Sequence, residues 1–549
     1  MFRVETAASQ DFAEVLQQLS SKIPDMDASS LSISDKPSDK GKSALTFVGQ
    51  TVSQLSLKNG DLLFLSYSNK RSDETARDSA SVALNGVATT KSTTQLPVDD
   101  LLDKQQGLIK RGRSTFCRHT EKGMCEYCSP LPPWDKAYQE ENNIKHISYH
   151  AYVKEMNANV NKNDSSFIAP LEEETFKIDK HCPTGHSPWP KGICSKCQPS
   201  AITLQQQRFR MVDHVEFTNS ETINNFINSW RLSGTQRFGV LLGTYDVYDK
   251  VPLGLKAKVE AIYEIPQIDD EDGITLQQWD NEEQVLDVAK RLGLVPVGTI
   301  FSDLTDTGAG DGSVVCKRHK DSFFLSSLEV IFAAKWQLKN PNVTKWSRSG
   351  KFSSKFVTCV VSGNSKGEID IASYQISQAG EALVSADLIS ASTHPNACFI
   401  NEQTDDRYVP EIFYKMVNEY GIPVKKSASP WFPDEYLIVS LTHGFPQDSS
   451  SARFRSEKQF TIENRGFLGT PQGLRQALEL IDVDGGDLNT SKLRLQDFHL
   501  ISYLLSLGVL SRAEEELLIT ATRPDEGTEE AFYELLGSPG WGTLVTMAE

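Results

Sequence analysis

Two clusters of cysteine and histidine in the first two hundred residues are the part of the sequence best suited to bind a metal. The first cluster consists of Cys117, His119, Cys125 and Cys128. The second has the spacing C-x3-H-x7-C-x2-C and consists of Cys182, His186, Cys194 and Cys197. Zinc prefers thiolate and imidazole ligands, and four of them fill its tetrahedral coordination sphere. The sequence therefore predicts two Zn2+ ions, one in each cluster.

The two clusters share a local phrase, which indicates an internal duplication. In both, a Lys-Gly pair stands before the Cys-x-x-Cys pair and a proline follows it: Lys122-Gly123 and Pro130 in the first, Lys191-Gly192 and Pro199 in the second. The glycine lets two thiolates converge on one ion without strain. Because four protein ligands leave no position open for water or substrate, the expected role of each ion is structural.

Two alternatives remain open for these clusters. The spacing between Cys117 and His119 is tight, and His146 with His150, four residues apart on a predicted helix, could replace His119. Such a histidine pair also suits a solvated helix face. A run of free cysteines in a reducing compartment is the alternative to metal binding, but it does not explain two near-repeats that each contain a histidine.

The composition favours a soluble, intracellular chain of several domains. A length of 549 residues predicts three to four domains rather than one core. No apolar run approaches the roughly 18 residues that cross a bilayer, and the N-terminus does not resemble a signal peptide, so membrane insertion is not expected. Cys316, Cys359 and Cys398 have no obvious partners, and we expect them to be buried free thiols.

The charge balance argues against nucleic acid as the main partner. The formal net charge is -17, whereas phosphate binding needs concentrated Lys and Arg. Residues 101–200 carry 14 Lys and Arg against 12 Asp and Glu, so the predicted zinc region is not a basic patch either.

The first two hundred residues are predicted to form three segments. Residues 1–68 read as a ubiquitin-like β-grasp unit, because apolar residues recur at helical spacing from Phe12 to Leu19 and Asn59-Gly60 is a turn signal before an apolar strand. Too few residues precede this helix for two strands, so we expect the first strand to be missing through a truncation. Residues 69–104, rich in Ser, Thr, Asp and Lys, are expected to be a flexible linker, and 105–200 a tandem zinc-finger region.

The rest of the chain divides into an α/β region at 205–445 and a mostly helical region at 446–549. Strands at 238–245, 257–265 and 356–361 alternate with helical stretches at 220–232, 282–292 and 319–337. In the C-terminal region one apolar helical stripe is predicted, formed by Phe498, Ile501, Leu504, Leu505 and Val509. The predicted fold class is therefore multidomain α+β.

The central region resembles the MPN domain, the fold of the JAMM zinc isopeptidases. The resemblance lies in residues 236–243, Gln-Arg-Phe-Gly-Val-Leu-Leu-Gly, and in residues 294–303, which end in Ile-Phe-Ser-Asp. That chemistry needs a Glu as general base, a His-x-His pair and an Asp as zinc ligands, and a Ser for the oxyanion. The resemblance assigns these roles, in the same order, to Gln236, Phe301, Asp303, Glu329 and Ser326.

Of these five positions only Ser326 keeps the residue that the chemistry needs. Gln236 cannot take a proton from zinc-bound water, and Phe301 offers a metal no lone pair. We therefore expect a catalytically dead domain and no enzyme activity. A relocated metal site at Cys316 and His319 would stand beside Lys317, Arg318 and Lys320, which makes it a poor site for a cation.

Longer phrases identify the chain as similar to the family of nuclear protein localisation protein four. They are Met124-Cys-Glu-Tyr-Cys-Ser-Pro-Leu-Pro-Pro-Trp-Asp135, the run from Gly192 to Gln205, Gly308-Ala-Gly-Asp-Gly-Ser313 and Ser322-Phe-Phe-Leu-Ser-Ser327. The resemblance covers essentially the whole chain from about residue 100, and these strings are far more specific than the zinc spacing alone.

The resemblance implies an adaptor rather than a catalyst. Members of that family pair with ubiquitin fusion degradation protein one and recruit polyubiquitinated substrates to the hexameric AAA+ ATPase called valosin-containing protein, in ERAD and the proteasome pathway. The N-terminal unit would be UBX-like and bind the ATPase, and the zinc modules would hold the MPN and C-terminal domains on the ring. A groove on that MPN/C-terminal surface, whose residues the sequence does not identify, would hold an unfolded ubiquitin. The expected location is cytoplasm and nucleus, with peripheral association at the endoplasmic reticulum membrane and nuclear envelope.

Two other functions compete with the adaptor. A JAMM-type zinc deubiquitinase predicts chain cleavage that a chelator stops, and the residues at positions 236 and 301 count against it. A zinc-dependent nucleic-acid-binding protein predicts salt-sensitive binding to DNA or RNA, which the acidic balance disfavours.

Overall fold

The computed structural model describes residues 94–120, 123–161, 167–446, 452–483, 487–523 and 528–548, with short pieces of the N-terminal part at 11–12, 14–15, 31–34, 42–47, 50–55 and 63–66. The chain divides into two compact units, Met1–Thr89 and Thr90–Glu549. None of the helices within these described ranges is long and apolar enough to cross a bilayer.

The described pieces of the N-terminal unit form a small antiparallel sheet on a hydrophobic cluster. Strand β1 (Ser32–Ser34) pairs with β2 (Lys42–Ser43) on one side and with β3 (Phe64–Ser66) on the other. Phe12 and Val15 are buried in the cluster with Leu31 and Ile33. The strand predicted after Asn59-Gly60 is therefore present at β3. The expected absence of a first strand concerns the residues before Asp11, which lie outside the described residues, as does Leu19 of the predicted helix.

The larger unit is built around a closed seven-stranded barrel. The order around the barrel is β12-β13-β14-β20-β7-β9-β8. The strands are β7 (His214–Phe217), β8 (Phe238–Tyr248), β9 (Gly254–Tyr263), β12 (Val295–Asp303), β13 (Val357–Gly363), β14 (Ile369–Ile376) and β20 (Ile438–Gly444). The predicted strands at 238–245, 257–265 and 356–361 correspond to β8, β9 and β13.

Small sheets flank the barrel and join distant segments of the chain to it. Two of them have two strands: β4 (Ile147–Ser148) pairs with β6 (Phe209–Arg210), and β10 (Gln267–Asp269) pairs with β11 (Ile274–Leu276). The other two have three strands. Their orders are β15-β16-β19, with β15 (Ile389–Ala391), β16 (Ala397–Ile400) and β19 (Trp431–Pro433), and β18-β17-β5, with β5 (Ile202–Leu204), β17 (Ile412–Val417) and β18 (Pro423–Ser427). Through β4 and β6, the segment between the two zinc clusters pairs with the chain that enters the barrel.

Consecutive residues of the barrel strands enter two different hydrophobic clusters, because side chains alternate between the faces of a strand. In β8, Val240 and Leu242 join one cluster and Leu241 joins the other. A bulge in β9 shifts this alternation: Leu242 lies opposite Ala261 but Gly243 lies opposite Val259, so Glu260 is the extra residue. A Cβ on Gly243 would lie 1.8 Å from the Lys258 carbonyl oxygen, so only glycine fits beside the bulge.

Thirteen helices are assigned within the described residues. They are α1 (Pro97–Lys104), α2 (Lys136–Glu141), α3 (Tyr149–Val160), α4 (Ser220–Ser233), α5 (Glu282–Arg291), α6 (Ser327–Lys339), α7 (Gln378–Ser385), α8 (Leu474–Ile481), α9 (Leu488–Arg494), α10 (Phe498–Ser506), α11 (Arg512–Ala521), α12 (Thr528–Leu536) and α13 (Pro539–Ala548). The predicted stripe on α10 is buried apart from Val509, which is partly buried and lies past its end.

The described residues of the helical C-terminal region share a core with the barrel. The cluster that holds Phe498, Leu504 and Trp541 from the C-terminal helices also holds Val240 and Phe301 from the barrel. The boundary expected near residue 446 is therefore a change of secondary structure rather than a break between two cores.

Cys316, expected to be buried, is only partly buried, and two of the expected elements also differ from the structure. The end of the predicted flexible linker is not a linker: residues 97–104 form α1, in which Leu102 is fully buried. The helix expected at 319–337 starts only at Ser327, where Ser326 and Glu329 form a capping box, and turns and bends occupy 319–326.

Candidate metal centres

The four predicted side chains of the first cluster converge on one point. Their ligand atoms all lie within 4.8 Å of one another. Cys125 Sγ lies 3.7 Å from Cys117 Sγ and 3.8 Å from Cys128 Sγ, and His119 Nε2 lies 3.1 Å from Cys128 Sγ. The cysteine pair adopts a tight turn in which the Cys125 N–H points at Cys128 Sγ, 3.4 Å away.

The second cluster has the same construction. Its four ligand atoms also lie within 4.8 Å of one another. Cys182 and Cys194 bring their Sγ atoms to 3.5 Å, and His186 Nε2 lies 3.4 Å from Cys197 Sγ. The Cys194 N–H points at Cys197 Sγ, 3.2 Å away.

Both histidines are oriented by the same hydrogen bond. His119 Nδ1 lies 2.8 Å from the Thr120 carbonyl oxygen, and His186 Nδ1 lies 2.7 Å from the Ser187 carbonyl oxygen. Donation from Nδ1 to a carbonyl fixes the tautomer that leaves Nε2 free as the ligand atom. The glycine of each repeat lies directly under the ring: a Cβ on Gly192 would lie 2.9 Å from His186 Nδ1, and one on Gly123 would lie 3.3 Å from His119 Nδ1. The duplication seen in the sequence is thus also a duplication of geometry.

These spacings suit zinc. With Zn–S near 2.3 Å and Zn–N near 2.0 Å, a tetrahedral site places two sulfurs about 3.8 Å apart and a sulfur and a nitrogen about 3.5 Å apart. The three sulfur–sulfur distances given above, Cys117–Cys125, Cys125–Cys128 and Cys182–Cys194, run from 3.5 to 3.8 Å. When bound, the ion would cross-link a loop of few apolar residues and so supply folding energy to it.

His146 and His150, the alternative ligands for the first cluster, serve other parts of the structure. His146 precedes the helix, and its Nδ1 lies 2.8 Å from the Gln207 carbonyl oxygen. His150 is buried between two carboxylates, 3.0 Å from Asp99 and 3.3 Å from Asp103. Neither residue joins a metal cluster within the described residues, so His119 is the geometric partner of the three cysteines.

Three of the five positions of the isopeptidase resemblance, Phe301, Asp303 and Glu329, meet at the side chain of Arg318. Arg318 Nε donates to Asp303 Oδ2 at 2.8 Å, and its two terminal nitrogens reach the Glu329 carboxylate at 2.7 and 2.8 Å. The guanidinium also lies over the Phe301 ring, 5.6 Å from the centroid. The Arg318 side chain is only 5% exposed, so a cation of the protein itself occupies this position.

The other two positions are engaged by the backbone. Gln236 donates through Nε2 to the carbonyl oxygens of Glu271 and Leu304, both at 2.7 Å, and accepts from Leu304 N–H at 3.0 Å. Ser326 caps α6, with its Oγ accepting from Glu329 N–H and its own N–H donating to Glu329 Oε2. Burial alone would raise the pKa of Asp303, but the Arg318 cation and a hydrogen bond from Lys317 lower it below its ordinary value.

Family comparisons agree with this division into a zinc region and a larger C-terminal part. The model of the NPL4 family matches residues 237–549, and the model of the zinc-binding region of that family matches residues 93–234. The chain belongs to the NPL4 family. The match of residues 93–234 contains both Cys/His clusters.

Similarity to members of the NPL4 family extends over the full chain. The relative from Debaryomyces hansenii, described as nuclear protein localization protein 4, is 50% identical over 574 residues, covering 100% of both chains. The relative of the same description from Saccharomyces cerevisiae is 50% identical over 568 residues, covering 100% of this chain and 97% of its own length. The relative from Eremothecium gossypii is 50% identical over 562 residues, covering 100% of this chain and 98% of its own length.

In this NPL4-family chain each zinc module is held by its own set of contacts. Around the first cluster, Ile109 forms a bridge with Leu131, and Arg111 Nε donates to the Ser129 carbonyl oxygen at 2.8 Å. The second cluster contacts the loop at 401–409, where Trp189 Nε1 donates to the Thr404 carbonyl oxygen at 3.1 Å. The second module is thereby attached to the body of the larger unit.

The role of Arg318 was missed by the sequence reasoning. In the sequence analysis Arg318 counted only as one of three basic residues that disfavour a cation site, whereas in the structure Arg318 turns inward and Lys317 also reaches Asp303. The available signal was the pair of acidic residues, Asp303 and Glu329, at two positions where the resemblance assigns metal ligands, since two buried carboxylates require a nearby cation.

Proposed function

We propose that this chain is a non-catalytic adaptor. Together with ubiquitin fusion degradation protein one, it would recruit polyubiquitinated substrates to the valosin-containing protein AAA+ unfoldase and hold an unfolded ubiquitin on its MPN/C-terminal surface to start translocation. Membership of the NPL4 family supports the broad assignment. The observation that carries the non-catalytic part is the Arg318 guanidinium between Asp303 and Glu329.

Arg318 is incompatible with a catalytic metal at this position. A zinc ion there would lie against a guanidinium that is 5% exposed and already makes charge-assisted hydrogen bonds to both carboxylates. Two cations at hydrogen-bonding separation repel each other strongly in a partly buried site. With Gln236 in place of a base as well, hydrolysis at this position would have neither a metal-bound water nor a proton acceptor, which supports the proposal.

The zinc modules suit a docking role. We propose two structural zinc ions, one in each cluster. Around the first cluster, Phe116 is 69% exposed and Met124 is 74% exposed, and the Phe116 ring lies 5.6 Å from that of the half-exposed Tyr127. Apolar side chains displayed together on a rigid metal-bound loop favour burial against a partner. We assign that partner surface to the ATPase ring.

The UBX-like N-terminal unit would provide a second contact with the ATPase.

For the location of the chain, the name of the relatives points to the nucleus, and we propose cytoplasm and nucleus with peripheral association at the endoplasmic reticulum and nuclear envelope. Nucleic acid is not proposed as a partner, because the net charge is -17.

A binding and cleavage experiment tests this function. The purified full chain is mixed with polyubiquitin chains and the hexameric ATPase, with and without ubiquitin fusion degradation protein one, and captured material and chain length are measured. The proposal predicts capture of both partners and intact ubiquitin chains. Loss of both interactions would refute the adaptor, and chelator-sensitive cleavage would favour a zinc deubiquitinase instead.

A further inference from the structure

A cavity of about 380 Å3 lies beside the barrel, at the turn between β8 and β9. Its walls are formed by Leu102 of α1, the segment at residues 105–110, Tyr138 of α2 and the turn at residues 247–254. This volume is in the range of ligand pockets in proteins. None of the lining residues belongs to a Cys/His cluster or to the site around Arg318, so the adaptor function proposed above does not use this cavity.

Tight contacts fix the walls of the cavity. Leu253, at the end of the turn, is buried and has a φ of 55°, a left-handed conformation that few non-glycine residues adopt. Gly107 packs directly against it, since a Cβ on Gly107 would lie 2.4 Å from Leu253 Cγ. The adjacent Pro252 is also held, because its carbonyl oxygen accepts a hydrogen bond from Ser148 Oγ at 2.7 Å. The fold therefore maintains the cavity through specific packing.

Two lysines and two tyrosines are among the lining residues. They are Lys110, Lys250, Tyr138 and Tyr248, and Asp249 is the single acidic residue of the lining. Neither ammonium group and neither phenol group has a hydrogen-bond or ion-pair partner within the described residues. These four polar groups are therefore available to a ligand.

A buried arginine behind the wall adds positive charge. Arg210 lies opposite Ser148 in the β4–β6 pair, and Ser148 in turn bonds to Pro252 of the cavity wall. Arg210 is 8% exposed, and its Nε has no hydrogen-bond partner in the parts of the chain that are described. Burial lowers the pKa of this guanidinium, whereas the nearby Asp213 carboxylate and Tyr248 phenol oppose the shift. An arginine remains charged even so, and a buried cation without an ion pair favours a nearby anion.

An anion with a flat apolar body matches these groups. Ammonium groups bind phosphate as point charges, and aromatic rings stack on nucleic bases. Aliphatic side chains complete the lining, among them Leu102, Ile109 and Val251. We propose that this cavity binds a mononucleotide, with its phosphate on the two lysines and its base against the two tyrosine rings. The proposal is independent of the adaptor function.

Titration calorimetry of the full chain with three probes tests the class of ligand. AMP carries a base and a phosphate, adenosine lacks the phosphate, and inorganic phosphate lacks the nucleoside. We expect AMP to bind with a dissociation constant of about 0.1 mM or lower and the other two to bind about ten-fold more weakly or worse, because each meets only part of the site. Absence of AMP binding, or equally tight binding of adenosine or phosphate, would overturn the proposal.

Four substitutions at exposed positions locate the binding, and we expect each to keep the melting temperature of the wild type. Lys110→Gln and Lys250→Gln should each weaken AMP binding by about three- to ten-fold, through the loss of one hydrogen bond to phosphate. Asp249→Asn should strengthen it by about two-fold, because this carboxylate repels phosphate. Lys366→Gln, at an exposed lysine between β13 and β14, should leave the affinity unchanged.

Photo-cross-linking gives the position of the ligand without any substitution. Azido-AMP should label peptides that contain residues 105–110, Tyr138 or residues 247–254. Labelling only elsewhere in the chain would refute the site. Unchanged affinity in both cavity lysine variants, or an equal loss of affinity in Lys366→Gln, would refute it as well.

Discussion

At the scale of single residues, two kinds of cation matter: the metal ion proposed for each Cys/His cluster and the guanidinium of Arg318. Eight side chains form two clusters whose ligand atoms lie within 4.8 Å of one another, which suits zinc. At the end of the barrel strand β12, by contrast, a guanidinium of the chain itself neutralises Asp303 and Glu329. With zinc bound as proposed, the same molecule would use a metal to cross-link its loops and its own cation where the strands already hold the residues in place.

Removal of one cluster ligand should cost one zinc ion. We expect Cys194→Ser to lower the zinc content from two ions per chain to one, because three ligands and a hydroxyl hold zinc far less tightly than four. The second module should unfold locally and ATPase docking should weaken more than polyubiquitin binding. The measurement is elemental analysis of the purified chain with a pulldown. The control Cys316→Ser, at a partly buried thiol outside the clusters, should keep both ions, and unchanged docking by Cys194→Ser would show that this module is not the contact.

Removal of the internal cation should destabilise the barrel. Arg318→Ala removes the cation from Glu329 and leaves Asp303 paired only with Lys317, which we expect to cost about 2–4 kcal/mol of unfolding free energy. Denaturant unfolding measures this cost, and Lys320→Ala, at an exposed neighbour, should change it by less than about 0.5 kcal/mol. Equal stability of Arg318→Ala and the wild type would mean that the ion pairs contribute nothing.

At the scale of elements, the short helix α1 shows how the segment before the zinc region is fixed to the barrel unit. Leu102 is fully buried, and Asp99 lies between His150, at 3.0 Å from Oδ1, and Lys355, whose Nζ contacts Oδ2 at 2.5 Å. Burial lowers the pKa of Lys355 while the Asp99 carboxylate opposes this shift. The helix is thus held by one apolar side chain and a buried charge network rather than by its length.

The adjacent aspartates of α1 provide a matched pair of substitutions. We expect Asp99→Ala to destabilise the chain by about 3 kcal/mol, because Lys355 and His150 would remain buried without their carboxylate. Asp100→Ala removes an exposed charge one residue away and should cost less than about 1 kcal/mol. Thermal or denaturant unfolding of both variants tests the difference. Similar losses for the two would show that α1 is held by Leu102 alone.

Local patterns in the sequence predicted most of the elements but not their contacts. The zinc ligands follow from short spacing, and α4, α5 and β8 follow from apolar periodicity, because each depends on residues close together in the chain. Helix α1 could not be predicted in this way, since its partners Lys355 and Trp346 lie more than two hundred residues away. The inward turn of Arg318 depends in the same manner on carboxylates brought together by the fold.

At the scale of the whole molecule, a buried charge network joins the barrel to the C-terminal helices. Arg237, with its side chain 1% exposed, contacts Glu264 and donates to the Asn464 carbonyl oxygen at 2.8 Å. Arg465 contacts the same Glu264. Together with the shared hydrophobic cluster, this network makes the region from Thr90 onward one compact unit. The proposed adaptor, which would hold a cargo against a motor, would benefit from such a rigid connection.

The network predicts a pH dependence of stability. His499 has a folded pKa of about 9, raised by Glu463 above the ordinary value of 6.5. Its contribution is therefore complete below pH 6.5 and is lost as pH rises through about 9. We expect the unfolding free energy of the wild type to exceed that of His499→Gln by on the order of 3 kcal/mol at pH 6, with the gap closing by pH 9.5. Asp497 and Glu264 also face this ring, so the test is the difference in unfolding free energy between the wild type and His499→Gln at each pH, rather than the pH curve of either protein alone. A difference that stays constant with pH would contradict the assignment.

The location of zinc in the full chain tests the central claim most directly. Anomalous diffraction at the zinc edge, from crystals of the purified chain, shows where each ion is bound. The account predicts one anomalous peak among Cys117, His119, Cys125 and Cys128 and one among Cys182, His186, Cys194 and Cys197. It predicts no anomalous peak between Asp303 and Glu329. A peak beside Phe301 with Arg318 displaced, or two vacant clusters, would contradict it.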